Sequence, residues 1–127
     1  MEGAIMFRIA VVEHDLELLT LFQEMLALEG WDVLICSDAE SAFDVVKQRR
    51  PDLVILDTWL DTPASGWDLL GRLSADAATG RIPVIICSGE ADTLKDTGGG
   101  LKEKVAGILR KPFELEELYR SVAVALA

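Results

Sequence analysis

The 127-residue chain reads as an α/β domain, a doubly wound parallel sheet of five strands with five helices on its two faces. Three observations predict this. Residues 53–56 (LVIL) and 84–87 (VIIC) are unbroken apolar runs, the mark of strands buried on both faces of a parallel sheet rather than of a half-solvated antiparallel one. Segments of helical periodicity separate successive strands through short polar loops, which is the pattern of β-α-β crossovers. Half of the residues are hydrophobic, enough at this length for one core without disulfide or metal staples.

Residues 7–12 (FRIAVV) are rich in β-branched side chains and end at Glu13, His14 and Asp15, so they form the first strand. Over 16–28, Leu18, Leu19, Phe22, Met25 and Leu26 recur at helical spacing, with Asp15 placed to cap the start and Gly30 to close the end. Residues 31–36 (WDVLIC) give the second strand. Ser37 and Glu40 have capping-box spacing and open a second helix that turns Ala42, Phe43, Val45 and Val46 inward and stops near Arg50, before Pro51. Residues 53–57 (LVILD) are the third strand and end in a carboxylate. A loop containing Asp61, Pro63, Ser65 and Gly66 leads to a short helix over 67–73 that buries Leu69, Leu70 and Leu73. The fourth strand ends at Ser88 and Gly89. Between Ala91 and Val105 a further helix is expected by position, broken or loosened by Gly98, Gly99 and Gly100, since each glycine costs ~1 kcal/mol relative to alanine in a helix. Residues 105–109 are the fifth strand and Lys111-Pro112 follows it. A final helix from about Glu114 carries acids in its first turn and buries Leu115, Leu118, Val122 and Leu126.

The formal net charge is −10, and no basic run exists to follow a phosphate backbone, which argues against direct nucleic-acid binding and against an anionic membrane surface. No apolar stretch approaches the ~20 residues of a bilayer span, so a cytoplasmic location is expected. Cys36 and Cys87 lie in strand-like segments without metal-site spacing and read as buried, reduced thiols.

In a parallel sheet all strand ends point one way, and the crevice outside the carboxyl ends is where ligands bind. Glu13 and His14, Asp57, Ser88 and Lys111 follow the first, third, fourth and fifth strands, so they converge there. Two carboxylates ~5 Å apart repel by roughly 3 kcal/mol at an effective dielectric of ~20, and a divalent cation or Lys111 is needed between them. A carboxylate held by a cation and an ammonium beside a hydroxyl is suited to accept a phosphoryl group.

These residues resemble the receiver domains of bacterial two-component response regulators over nearly the whole chain. AVVEH resembles the acidic-pair segment, DLVILD the phosphoacceptor strand, GWDLL the helix after it, PVIICSG the strand ending in the switch hydroxyl, and LRKPFELEEL the lysine-proline segment. The resemblance implies a flavodoxin-like sheet of order 2-1-3-4-5. It implies phosphorylation of Asp57 by a histidine kinase or phosphotransfer protein and Mg2+ held by Glu13, Asp57 and the backbone carbonyl of Trp59. Ser88 and Lys111 would bind the phosphoryl group, and the Lys111-Pro112 peptide would be cis. Output would pass to a downstream protein through the fourth helix, fifth strand and fifth helix.

Three positions depart from the family pattern. His14 stands where a second metal-ligating acid is usual, and imidazole suits transition metals better than Mg2+. Three outcomes stay open: weakened Mg2+ binding, a preference for Mn2+ or zinc, or a pseudo-receiver that works as a protein-interaction domain without phosphorylation. Ile108 replaces the frequent switch aromatic. The loop from Asp57 to Gly66 is one residue longer than usual. A small phosphohydrolase with Asp57 as nucleophile is disfavoured because Trp59 occupies the position of its second acid, and a nucleotide- or flavin-binding domain because the first strand-to-helix turn is EHD rather than glycine-rich.

Overall fold

In a computed structural model of the chain, residues 6–62, 65–89 and 105–127 are described. Five strands, β1 (Arg8–Val12), β2 (Asp32–Cys36), β3 (Leu53–Asp57), β4 (Val84–Ser88) and β5 (Val105–Arg110), form one sheet of order β2-β1-β3-β4-β5, every pair parallel. Among the described residues there are four helices, α1 (Leu16–Leu28), α2 (Ala39–Arg49), α3 (Ser65–Ala75) and α4 (Leu115–Leu126). The helix expected around Gly98–Gly100 falls outside the described residues. None of the helices among the described residues is long and apolar enough to cross a membrane.

Alternation along the strands divides the core between the two faces. Val54 and Leu56 of β3 pack with Ala42 and Val46 of α2 and with Leu69, Leu70 and Leu73 of α3. Leu53 and Ile55 pack on the other face with Leu19, Phe22 and Leu26 of α1 and with Leu118 and Val122 of α4. Because both faces are covered, β3 and β4 are buried at every position, as their unbroken apolar sequence requires.

The helix ends follow from local hydrogen bonding. Asp15 caps α1 by accepting from the Glu17 and Leu18 amides, and Gly30, at φ +85, takes the left-handed turn after it. The cap of α2 is not Ser37 but Asp38, whose carboxylate accepts the Ser41 amide at 2.8 Å; the Ser37–Glu40 capping box does not form. Ser and Asp are nearly equal as caps, so the fold, not the motif, selects between adjacent ones. α3 begins two residues before the expected Trp67. In α4 Leu115 is exposed rather than buried. Phe113, just before the cap residue Glu114, takes the apolar place instead: it joins the cluster of Leu118 and packs on the Phe22 ring at 5.4 Å, the arrangement of a hydrophobic staple.

Strand register builds the crevice. β1 and β3 pair Val12 with Leu56, so one step onward Glu13 and Asp57 emerge side by side. β3 and β4 pair Asp57 with Cys87, with Ser88 following. β4 and β5 pair Ser88 with Arg110, and Lys111 comes next.

Candidate functional site

Glu13 and Asp57 are only 1 % and 4 % exposed, so the mouth of the sheet holds two carboxylates largely withdrawn from water. Lys111 bridges them, with Nζ donating to Glu13 Oε1 at 2.9 Å and lying 3.5 Å from Asp57 Oδ2. Burial pushes the Glu13 carboxyl up from its usual range; Lys111 opposes this, and the neighbouring Asp57 reinforces it. Burial by itself would lower the Lys111 ammonium, but the bond to Glu13 and the charges of Asp57 and Glu13 outweigh it and raise it, so Lys111 stays charged.

His14 approaches from the solvent side. Its side chain is 53 % exposed, and Nδ1 lies 3.4 Å from Asp57 Oδ2 and 3.6 Å from Glu13 Oε2. Glu13, His14 and Asp57 each offer one ligand atom, all within 4.8 Å of one another. Cis ligands of an octahedral ion with bonds of ~2.1 Å are ~3 Å apart and trans ligands ~4.2 Å, so these separations suit one divalent cation after small adjustments. The donor set fits such a cation, with two hard oxygens and one imidazole nitrogen, although the nitrogen is a poorer partner for Mg2+ than an acid.

The remaining expected residues are placed as follows. Ser88 is buried at the end of β4; the Thr58 hydroxyl donates to its Oγ at 3.5 Å, and the Lys111 amide donates to its carbonyl at 2.8 Å. The Trp59 amide donates to Asp57 Oδ1 at 3.3 Å, and its indole is exposed. The Lys111–Pro112 peptide is cis. Ile108 stands apart from the crevice, exposed in the middle of β5.

Gly66 and Ser65, which the sequence places among the turn-forming residues of the loop, prove structurally specific. Gly66 packs so tightly under the end of β3 that a Cβ would overlap the Asp57 carbonyl oxygen and lie 2.6 Å from Thr58 Cα. Ser65 is buried, and its hydroxyl gathers the loop amides of Leu60, Asp61 and Thr62 at 2.8, 3.0 and 3.3 Å while donating to the Thr62 carbonyl at 2.8 Å. The lone Gly66 just ahead of an apolar periodic segment is the available sequence signal for the first; periodicity carries none for the second.

Comparison with known proteins places this geometry. Residues 9–123 match the family model of the response regulator receiver domain. The DNA-binding response regulator MtrA of Mycobacterium leprae (strain TN) is 33 % identical over 119 residues, which cover 94 % of this chain and 51 % of that protein. The probable transcriptional regulatory protein TcrX of Mycobacterium tuberculosis is 30 % identical over 110 residues, 87 % of this chain and 45 % of that one. The chain thus spans about half the length of the curated relatives it matches. The crystal structure of the receiver domain of NtrX from Brucella abortus superposes with a TM-score of 0.80 at 28 % identity, covering 93 % of this chain and 97 % of that one. With the strand order, the crevice and the match over residues 9–123 in agreement, the chain belongs to the response regulator receiver domain family.

Proposed function

We propose that residues 1–127 act as one receiver domain in two-component signalling and that Asp57 accepts a phosphoryl group from a histidine kinase or phosphotransfer protein. The observation that carries this reading is the buried Glu13–Asp57 pair bridged by the Lys111 ammonium. An Asp57 oxygen attacks the phosphorus of a phosphohistidine. The P–O bond forms as the P–N bond breaks, and the departing imidazole keeps the bonding pair, which a proton neutralises. Lys111 pairs with the phosphoryl oxygens and Ser88 donates its hydroxyl to one of them. Glu13, Asp57 and the Trp59 carbonyl, together with His14, would hold a divalent cation, Mg2+ or with higher affinity Mn2+. When bound, the cation offsets the negative charge that gathers on the carboxylates and the phosphoryl group. Residues of the site that bind, orient and neutralise suffice for this role, and Trp59 at the position of a hydrolase's second acid leaves the protein a signalling module rather than an enzyme acting on external substrates.

The partner surfaces follow from the same frame. An apolar groove of about 380 Å³ lined by Leu18, Leu21, Met25 and Phe113 adjoins Lys111 and Pro112 at the crevice, where a phosphodonor helix would lie. Output passes to a downstream protein over the face that β5 and α4 form around Ile108, Arg120 and Val124. The domain works in the cytoplasm and leaves nucleic acid and membrane to other parts of its pathway, in keeping with its acidic charge.

Incubation with acetyl phosphate and Mg2+ followed by intact-mass measurement tests the assignment. One addition of about 80 Da is expected, lost in Asp57→Asn. No addition in the wild type, or equal addition in the variant, overturns it. One observation favours a second reading, a pseudo-receiver that binds partners without phosphorylation: Lys111 already compensates part of the buried charge, and a protonated His14 at 3.4 Å from Asp57 would complete the balance without an ion. Replacement of His14 separates the two.

A further inference from the structure

Ser65 connects the loop after β3 to the crevice. We infer that it is a positioning residue that aims the Trp59 carbonyl at the cation, an inference that rests on the phosphoryl-acceptor reading above. The peptide between Trp59 and Leu60 is a rigid plane in which the N–H and C=O point in opposite directions. Its N–H donates to Ser65 Oγ at 2.8 Å, so the Trp59 carbonyl is turned the other way. The preceding peptide is fixed as well, because the Trp59 amide donates to Asp57 Oδ1 at 3.3 Å. The carbonyl is therefore held from both sides, by the phosphoacceptor itself and by a buried hydroxyl that is not in the crevice.

Ser65 is suited to this work for three reasons. Its hydroxyl collects the amides of Leu60, Asp61 and Thr62, and its one proton is used on the Thr62 carbonyl, so four loop groups converge on a single oxygen. Its backbone lies in the first turn of α3, and next to it the Gly66 amide donates to the Thr58 carbonyl at 2.9 Å, which ties the helix directly to the end of β3. Leu60 is buried in the core, so its own backbone cannot shift without repacking. Alanine at this position removes the shared acceptor and frees the Trp59–Leu60 plane to rotate. Threonine keeps the oxygen.

The test compares wild type, Ser65→Ala and Ser65→Thr in the intact chain by three readouts: Mn2+ affinity by calorimetry without phosphodonor, labelling by acetyl phosphate, and melting temperature. Outer partners that orient metal ligands typically change affinity 10–100-fold, so Ser65→Ala is expected to weaken Mn2+ binding roughly tenfold, with Ser65→Thr restoring it. A lower melting temperature with unchanged Mn2+ affinity would show a purely structural role and overturn the inference. If Ser65→Ala does not fold, Ser65→Cys takes its place, because it keeps a similar volume with a much poorer acceptor for the Leu60 amide, and Mn2+ affinity equal to the wild type in that variant overturns the inference. Wild type that neither binds cation nor takes label refutes the phosphoryl-acceptor reading itself, whereas wild type that does both, with Ser65→Ala equal to it, refutes only the role of Ser65.

Discussion

Replacing His14 by aspartate puts the charge balance of the crevice to a quantitative test. The imidazole stands 3.4 Å from Asp57 Oδ2 and 3.6 Å from Glu13 Oε2, and it is half in solvent, so a charge placed there is well screened. Two unit charges at that distance interact by about 1.2 kcal/mol at the dielectric of water, and a divalent cation doubles the attraction. Allowing for the lost nitrogen ligand, His14→Asp should strengthen Mg2+ binding by about 2 kcal/mol, roughly thirtyfold in Kd. The same carboxylate repels Asp57 and Glu13 when no cation is bound, so the metal-free variant should melt several degrees below the wild type and recover when Mg2+ is added. Calorimetric titration with Mg2+ and Mn2+, paired with thermal melts in chelator, reads both effects. The variant should also narrow the preference for Mn2+ over Mg2+, since the nitrogen donor is gone. An Mg2+ Kd within twofold of the wild type would refute the placement of His14 at the cation site.

Three other perturbations have defined outcomes. Lys111→Met leaves Glu13 and Asp57 buried without their ammonium, and breaking a buried ion pair costs about 3 kcal/mol, measurable by urea denaturation; a loss under 1 kcal/mol would show that water already reaches the pair. Gly66→Ala drives a Cβ against the backbone of Asp57 and Thr58, where nothing flexible can yield, and should destabilise by about 3 kcal/mol while reducing labelling of Asp57; a variant as stable as the wild type would contradict the close approach. Burial pushes the Cys36 thiol up to about 11, with Asp38 adding to it, and the Cys87 thiol up to about 12. Neither should react with iodoacetamide at pH 8 in the folded protein and both should in urea, as counted by intact mass.

Much of the fold is legible in the sequence because its strands are unambiguous. LVIL and VIIC are apolar at every position, which only a strand covered on two faces tolerates, and the helices between them carry clear stripes. The order of the strands is a different kind of information. Nothing in the run of residues 8–12 says that β1 sits between β2 and β3; that came from the resemblance, and the sheet bears it out. Local choices among near-equals were harder. Ser37 and Asp38 are adjacent and almost equivalent as caps, and the chain uses Asp38. Leu115 has the spacing of a core residue, but Phe113 reaches the core first from outside the helix.

At the site, residues at strand ends were legible because register in a parallel sheet converts strand order into proximity. Glu13, Asp57 and Lys111 are brought together in this way from 98 positions apart. The Ser65 network was not legible. A hydroxyl that gathers three amides depends on the path of the loop between Asp57 and Gly66, and loop path leaves no periodic trace in sequence.

The substitution of His14 has a consequence beyond cation affinity, which follows from counting charge. Without an ion the crevice holds two carboxylates and one ammonium, a net of one negative charge with His14 neutral. A divalent cation turns this to one positive, and the incoming phosphoryl group, with about two negative charges, meets attraction. With aspartate at position 14 the loaded crevice is neutral and offers none. On the phosphoryl-acceptor reading proposed above, histidine would bind the cation more weakly and attract the phosphodonor more strongly once the cation is in place. Taking away one charge ~6 Å from a phosphoryl group of about two charges costs about 1.4 kcal/mol in a water-like dielectric, roughly tenfold in rate. At cation concentrations that saturate both proteins, His14→Asp should therefore take label from acetyl phosphate about tenfold more slowly than the wild type, although at low cation it should be faster. Rate curves measured against Mg2+ concentration should cross. Curves in which the variant is faster at every concentration would show that the histidine only weakens the site.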